Sequence, residues 1–268
     1  INKILNKNKI LAPRLYTQRY DKNFIEIQDF GNETVFKTLK KKGKNKLSYF
    51  NRIIKLLIQI QSIKHRKVKN FRNQNYIIPK YDKKILINEA NLFCDWYAKN
   101  NLSKLRKKRF CKKFKKIIKE LTLKLKLKDN IFVHRDFHVS NLMSVKNQIG
   151  LIDSQDALIG NKAYDLASLI DDVRLKTSYS FKEKIFKFYI KKQKNLDIKK
   201  FKNDFEILSV LRNLKIIGIF TRLALRDRKK NYLRFIPYTW QLINMRIDQN
   251  RTFIDLKNLL SQNFKKIK

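Results

Sequence analysis

The spacing of hydrophobic residues divides the chain into a short extended part and a long helical part. Apolar and polar residues mix without helical spacing over two segments, Arg14 to Tyr20 and Phe24 to Gln28, and the polar residues Asp21 to Asn23 separate them. Such short segments, bounded by turn residues, are typical of strands. Two strands joined by a turn are therefore predicted here, and a short helix end, Ile1 to Leu5, is predicted before them.

After Gly31 the apolar residues recur every three or four positions, as in helices that bury one face. The first predicted face contains Leu47, Phe50, Ile54, Leu57 and Ile58. The second contains Leu86, Glu89, Phe93, Trp96 and Tyr97. The third lies in the basic run Lys99 to Lys128 and contains Phe110, Phe114, Ile117, Ile118, Leu121 and Leu125, so its lysines are expected to form a solvated surface.

Two short apolar runs, Ile131 to Val133 and Ile149 to Ile152, interrupt the helical spacing, and a polar loop lies between them. Helical spacing then resumes at Asp165 and continues to the end. The fold class predicted from this pattern is α+β with a largely helical body. Five glycines and three prolines, none clustered, mark no flexible linker, so one compact unit is expected.

The charge of the chain is +42, from 64 Lys and Arg against 22 Asp and Glu. Alone, this excess would indicate nucleic acid or an anionic membrane as a partner. Lys, Asn and Ile can be encoded by A and T alone, however, and their abundance along the whole chain favours genomic base bias as the cause. Nucleic acid is therefore not expected as a partner.

The sequence also limits the compartment and the cofactor classes. Charged residues interrupt every long apolar stretch well before the roughly 20 residues of a spanning helix, so no membrane segment is predicted. Two cysteines, Cys94 and Cys111, build neither a disulfide framework nor a four-ligand zinc site by themselves. A reducing cytoplasm is the predicted location, and the oligomeric state is not predicted.

The polar loop from His134 to Asn141, with Asp153 closing the second strand, is the main candidate for chemistry. Phosphoryl transfer needs a carboxylate that orients the attacking hydroxyl and oxygen ligands for magnesium. Asp136, Asn141 and Asp153 supply such groups. The alternative, that His134 and Asp136 merely cap a turn, is disfavoured because three metal-competent residues occur here in order.

This order, His-Arg-Asp, four residues, Asn and then a strand-end Asp, resembles the catalytic loop and metal site of the protein-kinase-like fold. No activation segment fits between Asp153 and Asp165, which points away from protein substrates. The string from Phe132 to Leu169 is similar to the aminoglycoside phosphotransferase superfamily, and within it to the bacterial N-acetylmuramate/N-acetylglucosamine anomeric kinase family. Supporting segments of the latter resemblance are Ile78 to Asp82, Asn88 to Tyr97, Ile152 to Ala157 and Arg212 to Phe220 with Arg222, Arg226 and Asp227.

The resemblance implies ATP and Mg²⁺ as cofactors and a small sugar as substrate. It implies that Asp136 orients the anomeric hydroxyl while Asn141 and Asp153 hold magnesium. Two nucleotide contacts are expected from the backbone at Gln28 and Phe30. The remaining site residues implied are His138, which either touches the γ-phosphate or rests against the loop, and His134, Asp156 and Asp165, which support the site.

Glu89, Phe93 and Trp96 are the candidate substrate contacts, because a sugar could stack on the indole and hydrogen-bond to the carboxylate. Packing of the same helix in the core is an equally good explanation of this face. The arginines at positions 212, 222 and 226 are interpreted as surface or structural charges rather than as ligands.

The start of the chain is expected to carry only the end of a kinase nucleotide lobe. Asp29-Phe30-Gly31 spells a kinase metal-binding triplet but precedes the catalytic loop, so it is interpreted as a lobe connection. Gly31 is the first glycine, and no lysine and glutamate pair of the kinase type precedes it. Residues 1–31 are thus predicted to be the end of a truncated nucleotide lobe with its hinge, and residues 32–268 the helical C-terminal lobe.

The predicted function is ATP-dependent phosphorylation of a small-molecule hydroxyl, and the resemblance implies an amino sugar of cell-wall recycling. Two alternatives stay open at this point. The acceptor could be an aminoglycoside, choline or another small alcohol. From a different class, the chain could be a catalytically inactive, basic kinase-like protein that binds nucleic acid or anionic lipid.

Overall fold

The computed structural model describes residues 1–41, 45–70 and 72–264. Its helices are α1 (Asn2–Lys7), α2 (Val35–Lys40), α3 (Lys46–Gln61), α4 (Lys83–Leu92), α5 (Lys99–Asn101), α6 (Lys104–Leu123), α7 (Tyr164–Ile170), α8 (Tyr179–Lys191), α9 (Ile198–Leu225), α10 (Ile236–Ile247) and α11 (Ile254–Asn263). Its strands are β1 (Leu15–Arg19), β2 (Phe24–Ile27), β3 (Lys67–Lys69), β4 (Asn75–Ile77), β5 (Asp129–Val133), β6 (Leu142–Val145), β7 (Gln148–Leu151) and β8 (Leu158–Asn161). Short 3₁₀ helices span Tyr20–Lys22, Lys230–Phe235 and Arg251–Phe253, and a π-helix spans Phe93–Ala98. The predicted α+β class with a largely helical body is confirmed.

The chain forms two compact units, and each unit combines two separate stretches. The first unit consists of Ile1–Tyr81 and Lys128–Leu196, and the second of Asp82–Leu127 and Asp197–Lys268. The chain crosses between the units without a Gly-rich or Pro-rich segment, which is why composition predicted a single unit. Residues 1–31 lie in the first unit together with the catalytic loop, so the division into units has no boundary after Gly31. The predicted lobe boundary there stays a prediction.

Capping side chains fix where several helices begin. The side chain of Thr34 accepts a hydrogen bond from the amide of Lys37 at the start of α2, and Asn45 accepts one from Ser48 at the start of α3. Ser178 caps α8 in the same way. Such caps satisfy amide groups that have no partner within the helix and typically contribute about 1 kcal/mol each.

All four two-stranded sheets belong to the first unit and are antiparallel: β1 with β2, β3 with β4, β5 with β8, and β6 with β7. The two strands predicted around the polar loop are therefore present as β5 and β7, but each pairs with a strand that the pattern did not predict. β6 and β7 are joined by Lys146 and Asn147, whose φ angles are 40° and 63°. Two central residues with positive φ are typical of a tight hairpin turn that matches strand twist.

The first unit is packed around the strands that flank the catalytic loop. Phe132 of β5 and Phe137 of the loop are fully buried. Gly150 in β7 allows close contact, because a Cβ atom at this position would lie 2.8 Å from the ring of Phe30. Aromatic and strand packing thus fix the loop and the segment at Phe30 to one framework.

The second unit is built around an aromatic core on α6, α9, α10 and the π-helix. Phe93 is completely buried, stacks on Phe114 with ring centroids 5.5 Å apart and meets Trp240 edge-on at 5.6 Å. The basic helix α6 buries Phe110, Phe114, Ile118 and Leu121, as predicted. Helix α9 approaches the same region at Gly218, where a Cβ atom would lie 2.4 Å from the carbonyl carbon of Leu92.

Gly218→Ala is expected to destabilise the protein by about 1–3 kcal/mol, because backbone atoms cannot move aside as a flexible side chain can. The higher helix propensity of alanine, worth about 1 kcal/mol, offsets part of this cost. Lys202→Ala on the same helix is the control, since the Lys202 side chain is 63% exposed. Urea denaturation of both variants tests the contact, and equal midpoints for Gly218→Ala and the parent would contradict it.

Candidate active site

The catalytic loop, His134 to Asn141, connects β5 to β6 and carries the predicted base Asp136. The amides of His138 and Asn141 donate to the carbonyls of Asp136 and His138, at 3.0 and 2.9 Å. The side-chain nitrogen of Asn141 donates to the carbonyl oxygen of Asp136 at 3.1 Å. The loop is therefore wound tightly around Asp136, and this bond engages the Asn141 nitrogen rather than its oxygen, the atom that binds cations.

The pairing of β6 with β7 brings Asn141 next to the segment of Asp153. Leu142 lies opposite Leu151 in the register, and the amide of Ile152 donates to the carbonyl of Asn141 at 3.1 Å. Asp153 follows Ile152 directly, and its side chain accepts a hydrogen bond of 3.0 Å from the side-chain Nε2 of Gln155. The two predicted metal ligands are thus adjacent at the end of one hairpin.

Asp136 and Asp153 both act on the buried imidazole of His134. Burial lowers the pKa of His134 below its ordinary value of 6.5, and this effect outweighs the carboxylates of Asp136 and Asp153, which raise it. The Nε2 atom of His134 lies 3.0 Å from the carbonyl oxygen of Ile152. His134 consequently connects the catalytic loop to the strand end that carries Asp153.

Two site residues have a left-handed backbone, with φ of 74° at Arg135 and 63° at Asp153. Residues other than glycine adopt this conformation rarely, and such positions cluster at functional sites because the surrounding structure has to enforce them. Arg135 directly precedes Asp136, and Asp153 lies two residues beyond the end of β7. The unusual backbone thus occurs next to one predicted site carboxylate and at the other.

Asp165, at the start of α7, holds the beginning of the catalytic loop. Its two carboxylate oxygens accept hydrogen bonds from the amides of His134 and Arg135, at 2.7 and 3.0 Å. The Asp165 side chain is buried, whereas that of Asp156 is exposed. Asp156 contributes its carbonyl oxygen, which lies 3.3 Å from a guanidinium nitrogen of Arg135.

A cleft in the first unit runs past Asp153 and the segment predicted to contact the nucleotide. Its volume is about 1370 Å³, and its lining includes Gln28, Phe30, Met143, Ile152 and Asp153. The predicted contacts Gln28 and Phe30 therefore lie in the same cleft as one predicted metal ligand. His138, the third predicted nucleotide contact, is buried in the loop.

The segment Asp29-Phe30-Gly31 forms a turn at this cleft. The amide of Gly31 donates to the Asp29 carboxylate at 2.7 Å, and Gly31 has a φ of 74°. Asp29 is thus used in a local turn of the lining. Its interpretation as a connection between lobes stays a prediction.

The predicted substrate contacts lie in the second unit. Phe93 is fully covered by the aromatic core, so its ring offers no free face. Glu89 forms an ion pair of 2.9 Å with Lys215, in which both side chains are mostly buried. Trp96 is half-buried in the π-helix.

The three arginines differ in their environment. Arg212 is 4% exposed on α9, Arg222 is half-buried, and Arg226 is exposed and paired with Asp227 at 2.7 Å. Arg212 is therefore not a surface charge. Helix α9 buries polar residues among its apolar ones, so the apolar spacing of its sequence does not indicate which charged residues are buried.

Sequence reasoning missed two residues that contact predicted site residues: Gln155, which contacts Asp153, and Lys215, which contacts Glu89. The side chain of Gln155 donates to the carboxylate of Asp153, and its position two residues later was the available signal. Lys215 binds Glu89 from another helix. No local pattern predicts such a long-range pair.

The donor set at Asn141 and Asp153 suits magnesium, which prefers hard oxygen ligands and keeps several positions for water and phosphate oxygens. Within residues 1–41, 45–70 and 72–264, no group of three or more His, Cys, Asp and Glu side chains is placed to hold a metal ion. The amide oxygen of Asn141 and the carboxylate of Asp153 are the donors considered at this hairpin end.

Comparison with known proteins gives a match over most of the chain. The family model described as the phosphotransferase enzyme family matches residues 3–195. These residues include the catalytic loop, Asp153 and α7.

Two curated relatives are N-acetylmuramate/N-acetylglucosamine kinases. The protein from Neisseria meningitidis serogroup B is 27% identical, over 84% of this chain and 67% of its own length. The protein from Pseudomonas aeruginosa is 28% identical, over 93% of this chain and 72% of its own length. This chain is therefore shorter than the relatives it matches.

Among solved structures, an AMP-bound spectinomycin phosphotransferase has a similar fold. Its TM-score is 0.63 at 14% identity, over 93% of this chain and 82% of the other chain. The predicted kinase-like fold is confirmed by this likeness together with the family match. No helix in the described part of the chain is both long and apolar enough to cross a membrane.

The environment of His134 predicts a pH dependence of stability. Because burial lowers its pKa in the folded state, the unfolded chain binds a proton more readily below about pH 6.5, and stability is lost as the pH falls through this region. His134→Gln should flatten this dependence, measured as the free energy of urea unfolding between about pH 7.5 and 5.5. A comparison near pH 8, where the imidazole is neutral in both states, isolates the packing cost of the substitution. An equally steep dependence in the variant would contradict the assignment.

Proposed function

The chain belongs to the phosphotransferase enzyme family, and on this premise we propose that it transfers the γ-phosphate of ATP to a hydroxyl group of an amino sugar. The observation that carries the proposal is the hydrogen bond from the Ile152 amide to the Asn141 carbonyl, with the Asn141 side chain bonded to the Asp136 backbone. These contacts support a common site for Asp136, Asn141 and Asp153.

In this proposal Asp136 is the base. Phosphoryl transfer depends mainly on positioning and charge neutralisation. Asp136 orients the acceptor hydroxyl, accepts its proton as the oxygen attacks the γ-phosphorus, and the bond from that phosphorus to the bridging oxygen of ADP breaks. The half-buried position of Asp136, in a loop whose hydrogen bonds to the Asp136 carbonyl fix its backbone, supports this role.

Asn141 and Asp153 are the proposed magnesium ligands. When bound, the ion neutralises charge on the β- and γ-phosphates. The left-handed backbone at Asp153 and the hydrogen bond from Gln155 orient the carboxylate before any ligand binds. This fixed geometry supports binding of a metal through few protein ligands.

ATP is the proposed phosphate donor, and the cleft at Gln28 and Phe30 is its proposed binding site. Met143, Ile152 and Phe30 give the cleft an apolar lining, which suits a flat base, and Asp153 lies at the same cleft. The AMP bound to the spectinomycin phosphotransferase supports an adenine nucleotide in this fold. His138 is proposed to support the loop.

The acceptor is proposed to be the anomeric hydroxyl of N-acetylmuramate or N-acetylglucosamine, used in cell-wall recycling in the cytoplasm. The names of the two curated relatives support these sugars. Glu89 and Trp96 remain the proposed substrate contacts, and Lys215 would orient the Glu89 carboxylate. Other small alcohols are the alternative acceptors, and a substrate panel separates them.

Asp136→Asn is expected to lower the rate of sugar phosphorylation by about 10²- to 10⁴-fold, because the amide cannot accept the proton. The protein is incubated with ATP, magnesium and either sugar, and formation of the 1-phosphate is followed by phosphorus NMR. Asp197→Asn is the matched control, since Asp197 is an exposed helix cap and asparagine caps equally well. Equal rates for Asp136→Asn and the parent would exclude Asp136 as the base.

Asp153→Asn is expected to raise the magnesium concentration for half-maximal activity by about 10-fold or more, because a neutral amide replaces a charged ligand. Activity is titrated with magnesium at a fixed, saturating concentration of ATP. Asp136→Asn serves as the comparison, since it should slow the residual reaction without changing the magnesium requirement. An unchanged requirement in Asp153→Asn would remove Asp153 from the metal site.

A further inference from the structure

A second buried carboxylate contacts the catalytic loop from the segment after α7. Asp172 is 2% exposed, and its Oδ2 atom accepts a hydrogen bond of 3.3 Å from the amide of Val139. Val139 lies in the loop between Asp136 and Asn141. Asp172 therefore contacts the backbone between the proposed base and a proposed metal ligand.

Both backbone polar groups of Val139 are held by side chains or segments outside the loop. Its carbonyl oxygen accepts a hydrogen bond of 3.0 Å from the amide of Phe36 in α2, and Val139 itself is completely buried. A buried amide without a partner would cost free energy comparable to a lost hydrogen bond. Asp172 thus satisfies the donor that the loop presents to the interior.

The turn that carries Asp172 is fixed by charges. The other oxygen of Asp172 accepts from the amide of Arg174 at 3.0 Å. Lys182 of α8, 3% exposed, pairs with Asp171 at 3.2 Å and donates to the carbonyl of Ile170 at 2.6 Å. A cation at the last carbonyls of a helix stabilises its C-terminus, so Lys182 holds the end of α7.

We propose that Asp172 is a positioning residue of the phosphotransfer site. Helix α7 is entirely buried and carries Asp165 at its start, while Asp172 lies just beyond its end. The two carboxylates hold the loop on either side of Asp136, at His134 and Val139. Helix α7 acts as a fixed spacer between them, and this role rests on the proposed function.

A carboxylate is required at this position because both oxygens accept hydrogen bonds from backbone amides. Asparagine has the same shape but offers one oxygen and one NH₂ group. In Asp172→Asn, either Val139 or Arg174 therefore faces a donor instead of an acceptor. The loop between Asp136 and Asn141 loses its fixed position, while the proposed cleft for the base of ATP and the proposed sugar contacts keep their residues.

The test combines hydrogen exchange with kinetics on the full chain. In Asp172→Asn the Val139 amide should exchange about 10-fold faster or more, with β5 amides exchanging as in the parent. The kcat should fall about 10-fold or more, because small displacements of a reacting group are costly. The KM values for ATP and sugar should stay within about 2-fold, since binding contacts are retained.

Asp197→Asn is the control for the same chemical change at an exposed cap, and it should leave exchange and kcat as in the parent. Arg174→Met is a milder second variant, because Arg174 is partly exposed and lies 3.6 Å from Asp172. If Asp172→Asn does not fold, faster exchange at Val139 in Arg174→Met supports the role, and unchanged exchange overturns it.

Parent-like exchange and kcat in Asp172→Asn would overturn the proposal, as would a rise in KM at unchanged kcat. A parent that phosphorylates neither sugar nor any alcohol in the panel would instead refute the proposed function. In that case Val139 exchange alone decides whether Asp172 holds the loop. The two failures are thus distinguishable.

Discussion

The candidate site depends on the pairing of β6 with β7, because this hairpin alone sets Asn141 beside Asp153. The register places Leu142 opposite Leu151 and lets the Ile152 amide reach the Asn141 carbonyl. A shift of one residue would turn each side chain of the strand to the other face. The turn at Lys146 and Asn147, with positive φ at both residues, and the contact between Gly150 and Phe30 both oppose such a shift.

The candidate catalytic loop could be singled out from sequence because its residue types are tied to chemistry within a short stretch. Asp136, Asn141 and Asp153 are separated by few residues, so local spacing carries their relation. The strands were harder. Ile131 to Val133 and Ile149 to Ile152 are compact apolar runs, whereas β6 contains Ser144 and β8 contains Gly160 and Asn161, which weaken an apolar pattern.

The two units show the limit of reasoning from neighbouring residues. Each unit joins stretches far apart in sequence, and contacts such as those of Glu89 with Lys215 or of Val139 with Asp172 connect different elements. Periodicity reports only which side of an element is apolar. It predicted the buried face of α6 correctly. It could not predict which carboxylate or lysine from another element would pair with a given buried polar group.

The helical spacing behind the predicted substrate face changes at the residue where the helix changes its winding. An α-helical period places Glu89, Phe93 and Trp96 on one side, but the segment Phe93–Ala98 is a π-helix. Its wider turn rotates the residues that follow.

Where this segment begins, Gly218 of α9 comes close to the backbone of Leu92 and Phe93, with no room for a Cβ atom. A close backbone approach of this kind involves glycine on a distant helix, which the local sequence of α4 does not report. The pairing of Glu89 with Lys215 follows from the same approach, since Lys215 lies one turn before Gly218 on α9.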